Sequence, residues 1–410
     1  MISGFLQRPS KEGRFFVFPK FYPCQKCNLS SRLFIKFIMN KKNIAKRAAV
    51  ALLCAFMLAA PFVVLGNLPR SDLFVAGARF EGILELWHIE SFEGGVGSRA
   101  GWLKKRSTAF EKQNKGCLVN VTVLTPEQAQ EKLNNGERFD LASFSAGAGF
   151  ELLPYLSPYG GDVSCVRGDY LRGGQLNGKV YALPYMAGGY ALAAMSKNLA
   201  GFENKNLAEN IFGMGFEKKV GKKTVSLASV ACGYGGFNQP CMALALNATQ
   251  SRRNDLLDEG LTQYEAYEKF LTGNNHTVLL GTQRDIYRLT NRIEQGRLGE
   301  CVFEPLGGFT DLVQYIAVGD TEAKKAVFAE KFACFLTQEQ SQQKLTEVRM
   351  FTVNAQSIYS DGAMSALEQA LSSVRTINAF TDPSILSALR SETLKSLETG
   401  EKKNLERYLC

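Results

Sequence analysis

Between Ile83 and Phe144 the sequence alternates short apolar runs with segments of helical period, and this rhythm restricts the architecture more than any other feature. Ile83–His88 (ILELWH) reads as a strand and leads into the glycine-rich turn Glu93–Gly97. Arg99–Gln113 has helical spacing, with Trp102, Leu103 and Phe110 as its apolar stripe. Leu118–Leu124 (LVNVTVL) is a β-branched strand. Thr125, Pro126 and Gln128 then supply an N-cap, a proline at the first helical position and a capping-box partner. That helix is expected to end at Gly136, before a third strand at Phe139–Phe144. Strand–helix–strand–helix–strand requires a parallel sheet with right-handed crossovers.

A second α/β stretch follows Tyr181–Tyr185 and Gly188-Gly189. Tyr190–Met195 and Thr224–Val230 are strand-like, Gly233–Phe237 is glycine-rich, and Met242–Ala248 is helical. Helical turns around Tyr264–Leu271, a strand at Thr277–Leu280, and strands at Cys301–Pro305 and Gln314–Val318 continue it. From Thr321 the pattern is helical, with Val327, Phe328, Phe332, Phe335 and Leu336 as its expected buried face. Asp382-Pro383 marks another helix start. Two α/β units joined by Gly/Pro-containing extended segments imply two lobes with a cleft between them. Ligands of open α/β sheets bind beyond the carboxyl ends of the strands, which here means after Trp87, Phe144 and Val230.

The chain's 410 residues suffice for two or three structural units at roughly 100–200 residues each. Its net charge of +9 is a local property. Of 48 basic and 39 acidic side chains, 12 and one respectively fall in residues 1–70, leaving 36 against 38 in the body. A body at −2 has no bulk attraction for nucleic acid. Ala48–Gly66 is an uncharged run of 19 residues preceded by Lys41, Lys42, Lys46 and Arg47. A basic segment before an apolar run is an export signal or membrane anchor, and this one just reaches spanning length. No small-x-small cleavage site follows closely, which favours an uncleaved anchor over full secretion, in either case outside the cytoplasm. Met39 begins MNKKNIAKR as such leaders begin, so residues 1–38 are expected to be unstructured or to lie upstream of the true start.

Two histidines leave little room for a histidine-rich metal site, and Cys24-x-x-Cys27 lacks a second pair at ligand spacing. Seven cysteines follow the leader, an odd and unpatterned number; Cys232 and Cys241 are near enough in sequence to pair outside the membrane, or else are small buried residues. Gly95-x-Gly97-x-x-Ala100 resembles a dinucleotide fingerprint but stands six residues beyond the strand, where the turn needs its glycine at once. The helix N-terminus it precedes retains N–H donors for a polar or anionic group. Gly173–Lys179 nearly spells a phosphate loop, but Val180 replaces the magnesium-binding hydroxyl. Ser145 lacks the nucleophile elbow, and only His88 and His276 exist to serve it. No cofactor and no metal are expected.

The order of these pieces resembles the family 1 extracellular solute-binding proteins of ATP-driven importers. The pieces are ILELWHIESFEGG after an export leader, FDLASFSAG, GKVYALPYMAGGYALAAMSKNL, the EPLGG turn, and the AKKAVFAEKFACFLTQEQSQQKL helix ending near Val353-Asn354. The resemblance spans residues 83–354 and implies a two-lobed, type II periplasmic-binding-protein-like fold with a hinge and an inter-lobe cleft, preceded by the hydrophobic helix of residues 39–70. It places residues 79–186 with about 307–354 in lobe 1, and 187–306 with about 355–410 in lobe 2. It implies a monomeric receptor without catalytic residues that captures a small polar solute, a carbohydrate by preference, and delivers it to the permease subunits of an ABC importer. The body is shorter than most sugar binders of this family, chiefly in lobe 2. An exported carbohydrate-active enzyme using Glu90 or Glu93, or a receptor serving a membrane sensor, are the competing readings.

Trp87 ends the first strand where the cleft begins; it either stacks on a sugar ring or joins the core. Glu90, Ser91 and Glu93 follow it and suit hydroxyl groups. Ser143 and Ser145 offer donors after the third strand, or are ordinary turn residues. The resemblance puts Tyr185 in the cleft, with Tyr190, Tyr234 and Phe309 as further lining. Trp102 is expected in the core, His88 as a structural histidine on the face opposite Trp87, and Arg284 as a solvated charge on a helix.

Overall fold

The computed structural model describes residues 80–91, 97–199, 207–208, 217–220, 223–226, 230–234, 237–248, 257–273, 277–360 and 362–410. The chain divides into two compact units, Met1–Ala78 and Arg79–Cys410, and every described residue lies in the second. The apolar run at 48–66 is therefore outside the described residues, as are Glu93 and His276. Among the described residues no helix is long and apolar enough to cross a membrane.

The first sheet is built as the sequence rhythm requires. Strand β1 (Gly82–Ile89) runs parallel to β2 (Cys117–Leu124) in an unbroken register from Gly82↔Cys117 to Ile89↔Leu124, and parallel to β3 (Leu141–Ser145) on its other side. Helix α1 (Arg99–Gln113) connects β1 to β2; the Ser98 hydroxyl caps it by accepting from the Gly101 N–H at 3.0 Å. Helix α2 (Pro126–Asn134) has the full capping box between Thr125 and Gln128, and Gly136 takes the left-handed conformation just beyond its end (φ +83°). Two further strands, β4 (Ala182–Ala187) and β10 (Val313–Val318), complete the order β2-β1-β3-β10-β4, with β10 antiparallel to both neighbours.

The second sheet repeats this plan. Its strands are β5 (Tyr190–Met195), β6 (Val230–Tyr234), β7 (Leu257–Thr262), β8 (Val278–Thr282) and β9 (Cys301–Leu306), in the order β7-β6-β8-β5-β9. Strands β6, β7 and β8 are parallel, and β5 runs antiparallel to β8 and β9. Helices α3 (Pro240–Asn247), α4 (Gln263–Thr272) and α5 (Gln283–Glu294) follow β6, β7 and β8 respectively. In each sheet the antiparallel strand arrives from the other sheet. Chain passes from β4 to β5 through Gly188-Gly189 and returns from β9 to β10 through residues 307–312.

Those two crossing segments lie side by side. The Gly188 N–H donates to the Leu312 carbonyl at 2.7 Å, and the Thr310 hydroxyl donates to the Gly188 carbonyl at 2.8 Å. Both glycines lie close against side chains: a Cβ at Gly188 would stand 2.7 Å from Gln283 Oε1, and one at Gly189 would stand 2.9 Å from Leu371 Cδ1. The expected two-lobed α/β arrangement is thus what the chain forms.

Two expectations about elements need correction. The run Thr224–Val230 is not one strand: Lys223–Ser226 turns back to pair with Glu217–Val220, and the parallel strand begins only at Val230. The small residues Val230, Ala231 and Cys232 suit a strand buried on both faces. In helix α6 (Ala323–Thr337) Val327 is 44% exposed, because the buried stripe runs through Ala329, Phe332, Ala333 and Leu336. Those positions repeat at three and four residues, and Val327 falls nearly opposite them. Helix α7 (Gly362–Ala370) packs on α5, and helix α8 (Pro383–Thr399), capped by Asp382, packs on α3.

Candidate functional site

The carboxyl ends of β1, β2 and β3 face Phe237, beyond the end of β6, across a cavity of about 820 Å³. One wall belongs to the first sheet: Ile89 at the end of β1, Glu127, Gln130 and Glu131 on α2, and Ala148 and Glu151 after β3. Phe237, after β6, and Pro383, at the start of α8, come from the second. The floor is apolar (Ile89, Ala129, Leu133, Leu152) and the rim carries carboxylates and amides, with no lysine or arginine lining it among the described residues. Glu127 is held below the usual carboxylate range by its hydrogen bond with Thr125. Such a cavity presents hydrogen-bond acceptors at its edge and hydrocarbon beneath, the arrangement that suits a molecule with polar edges and a C–H face.

The two walls meet beside this cavity. Gly147 has φ +85°, and a Cβ there would stand 2.7 Å from both Leu386 and Phe237 of the opposite lobe, so only glycine permits the approach. On the other side of the cleft the Arg284 guanidinium, at the N-terminus of α5, donates to the Gly97 carbonyl before α1. Arg284 is 2% exposed, which corrects the expectation of a solvated charge: the second lobe spends a buried cation on contact with the first.

Beneath the first wall lies a buried polar network that explains several of the expected ligand residues. Ser143 Oγ sits 3.0 Å from His88 Nδ1 and 2.8 Å from Tyr185 OH, and accepts from Gln314 Nε2 at 3.0 Å. Gln314 Oε1 in turn accepts from the Arg99 guanidinium at 2.9 Å. Tyr185 is fully buried and stacks on Trp102 with centroids 5.9 Å apart. His88 and Trp102 therefore take the structural places expected of them. Ser143 and Tyr185 stand with them, in the middle of their strands and inside the lobe.

The other expected ligand residues are scattered. Trp87 is 3% exposed and packs in the core against Phe139 at 5.1 Å, with the Lys132 ammonium 5.8 Å over its ring, so it underlies the cleft and does not line it. Strand alternation puts Trp87 on the α2 face, between Phe139 and the Lys132 side chain. Ser145 is buried on the same face as Ser143, and its hydroxyl has no hydrogen-bond partner among the described residues. Glu90 is exposed and Ser91 half-buried next to Ile89. Tyr190 is buried and donates to Asp311 Oδ1 at 2.7 Å beside the crossing segments. Tyr234 donates to Cys241 Sγ at 2.9 Å under the Arg390 guanidinium. Phe309 is fully buried in the short ladder Gly308–Phe309 with Val374–Arg375, a core role in place of a lining one. The cavity's own residues Glu127, Glu131, Glu151, Phe237 and Pro383 were not expected. The signals for them were the loops expected after Phe144 and Val230, which hold Glu151 and Phe237, with the N-cap at Thr125 and the helix start at Asp382.

No protein-family model matches the sequence, and no curated protein matches it at a significant level. Solved structures do match in fold. The sugar-binding protein MalE from Xanthomonas citri superposes with a TM-score of 0.57 over 78% of this chain and 93% of its own, at 17% identity. Maltose-bound MalE3 from T. maritima gives 0.53 over 77% and 95% at 13% identity. The GacH receptor of Streptomyces glaucescens, solved unliganded and with acarbose, gives 0.52 over 78% and 95% at 12% identity. At these identities the likeness is one of fold, and it covers nearly the whole of each of those proteins.

Proposed function

We propose that this chain is a solute-binding protein that works outside the cytoplasm, closes its two lobes on a small polar solute, and hands that solute unaltered to an ABC-type permease. One observation carries the reading. Two sheets of identical strand order exchange one strand each through adjacent crossing segments, and a cavity of about 820 Å³ opens between their carboxyl ends. Two short crossings, side by side and opposite in direction, make a hinge, and a ligand that touches both walls biases that hinge closed by differential contact. The sugar-binding proteins of the same fold, together with acceptor groups around an apolar floor, favour a carbohydrate. The basic segment and apolar run before the body support export with an anchor.

Thermal-shift screening of the purified protein tests this. Maltooligosaccharides, other neutral sugars, sugar phosphates, polyamines and metal oxyanions form the panel. A solute that binds only the folded protein raises stability by RT ln(1 + [L]/Kd), about 2.7 kcal/mol at a hundredfold excess over Kd. A rise in Tm with neutral sugars and none with sugar phosphates is the expected result, since the described lining residues carry carboxylates and no cation. A panel that leaves Tm unmoved removes the support for solute capture.

A further inference from the structure

Two sulfur atoms touch behind the second wall of the cleft. Cys232 lies in β6 and Cys241 in the first turn of α3; both are buried, and their Sγ atoms are 3.6 Å apart. A disulfide bond needs about 2.05 Å, so the sulfurs stand at van der Waals contact, short of bonding. The segment between them carries the wall itself. It begins at Gly233, where a Cβ would stand 2.4 Å from Gln263 Cα, includes the cavity-lining Phe237, and ends on Gln239, whose N–H donates to Asp311 Oδ2 at 2.5 Å in the crossing segment. The Tyr234 hydroxyl donates to Cys241 Sγ at 2.9 Å.

We propose that Cys232 and Cys241 form a disulfide in the exported protein, closing a ring round the segment that presents Phe237 to the cleft. The inference rests on the extracytoplasmic reading, because such a bond persists where no reducing thiol pool acts on it. The chemistry is thiol–disulfide exchange with a disulfide-bearing oxidant, a small molecule or a protein, while the segment is still open during folding. The Cys241 thiolate attacks one sulfur of the oxidant, forming a mixed disulfide and expelling the first thiolate. The Cys232 thiolate then attacks Cys241 Sγ, forming the internal bond and expelling the second thiolate. Both protons pass to the leaving thiolates, so two protein thiols and one disulfide become one protein disulfide and two thiols. Once closed, the bond restricts the glycine-rich segment and pre-positions Phe237.

The test uses the full chain, refolded with oxidised glutathione, alkylated under denaturing conditions without reductant, and digested with trypsin. Residues 224–252 contain both cysteines, no other cysteine, and no internal lysine or arginine. This peptide is expected unalkylated and two hydrogen atoms lighter than the dithiol, with two alkyl groups appearing after reduction. Recovery of the doubly alkylated peptide from the oxidised sample overturns the proposal. Reductant is expected to lower Tm by about 3 °C or more in the native chain, and to leave Tm unmoved in Cys232→Ser and Cys241→Ser variants. Equal sensitivity of native and variant proteins also overturns it. The solute screen is read separately: a bridged peptide without any solute-induced shift sinks the solute reading alone, and a solute-induced shift with both thiols alkylated sinks the disulfide alone.

Discussion

Asp311 sits fully buried between the hydroxyl of Tyr190 and the N–H of Gln239, and burial pushes its carboxyl from 3.8 up to about 6, against the pull of those two donors. The unfolded chain releases this proton near the ordinary value, and the folded one holds it longer. The stabilising contribution is therefore complete below pH 3.8 and is lost as pH rises through about 6. Asp311→Asn keeps an oxygen acceptor and removes the titration. The difference in Tm between native and variant proteins is expected to turn against the native protein across that window, as followed by thermal melts at a series of pH values. Parallel curves would show that Asp311 does not titrate where its burial puts it. Trp87 teaches a different lesson at this scale. Its place on the first strand was legible, but the strand runs on to Ile89, and the α2 face took Trp87 into the core.

At the scale of elements, caps and crossing strands were legible because their signals are local. Thr125 with Gln128, and Asp382-Pro383, each act within four residues, and each marks an observed helix start. The cleft's carboxylates were not legible, because Glu127, Glu131 and Glu151 read as ordinary solvated charges until a second lobe stands opposite them. Nor was the network around Ser143, whose partners come from β1, β4 and β10, up to 171 residues away. That network ties four strands to α1 through one hydroxyl. Ser143→Ala is expected to cost about 1–3 kcal/mol, since three buried polar groups lose their common partner. Chemical denaturation measures it, and a variant as stable as the native protein would show the network to be dispensable.

For the molecule as a whole, the account is one of two similar lobes, a pair of crossing segments and a cavity shared between walls. Arg284 of the second lobe donates to the Gly97 carbonyl of the first. Arg284→Ala is expected to weaken solute binding about tenfold, or roughly 1.4 kcal/mol, in a calorimetric titration, with Arg284→Lys restoring part of the loss. Unchanged affinity would remove this bond from the closing mechanism. Closure itself is the central claim, and small-angle X-ray scattering with and without a solute that raises Tm tests it most directly. The expected result is a smaller radius of gyration in the solute-bound protein, as the lobes swing together about residues 187–190 and 307–312. Superimposable scattering profiles, with the same solute demonstrably bound, would contradict a hinged receptor.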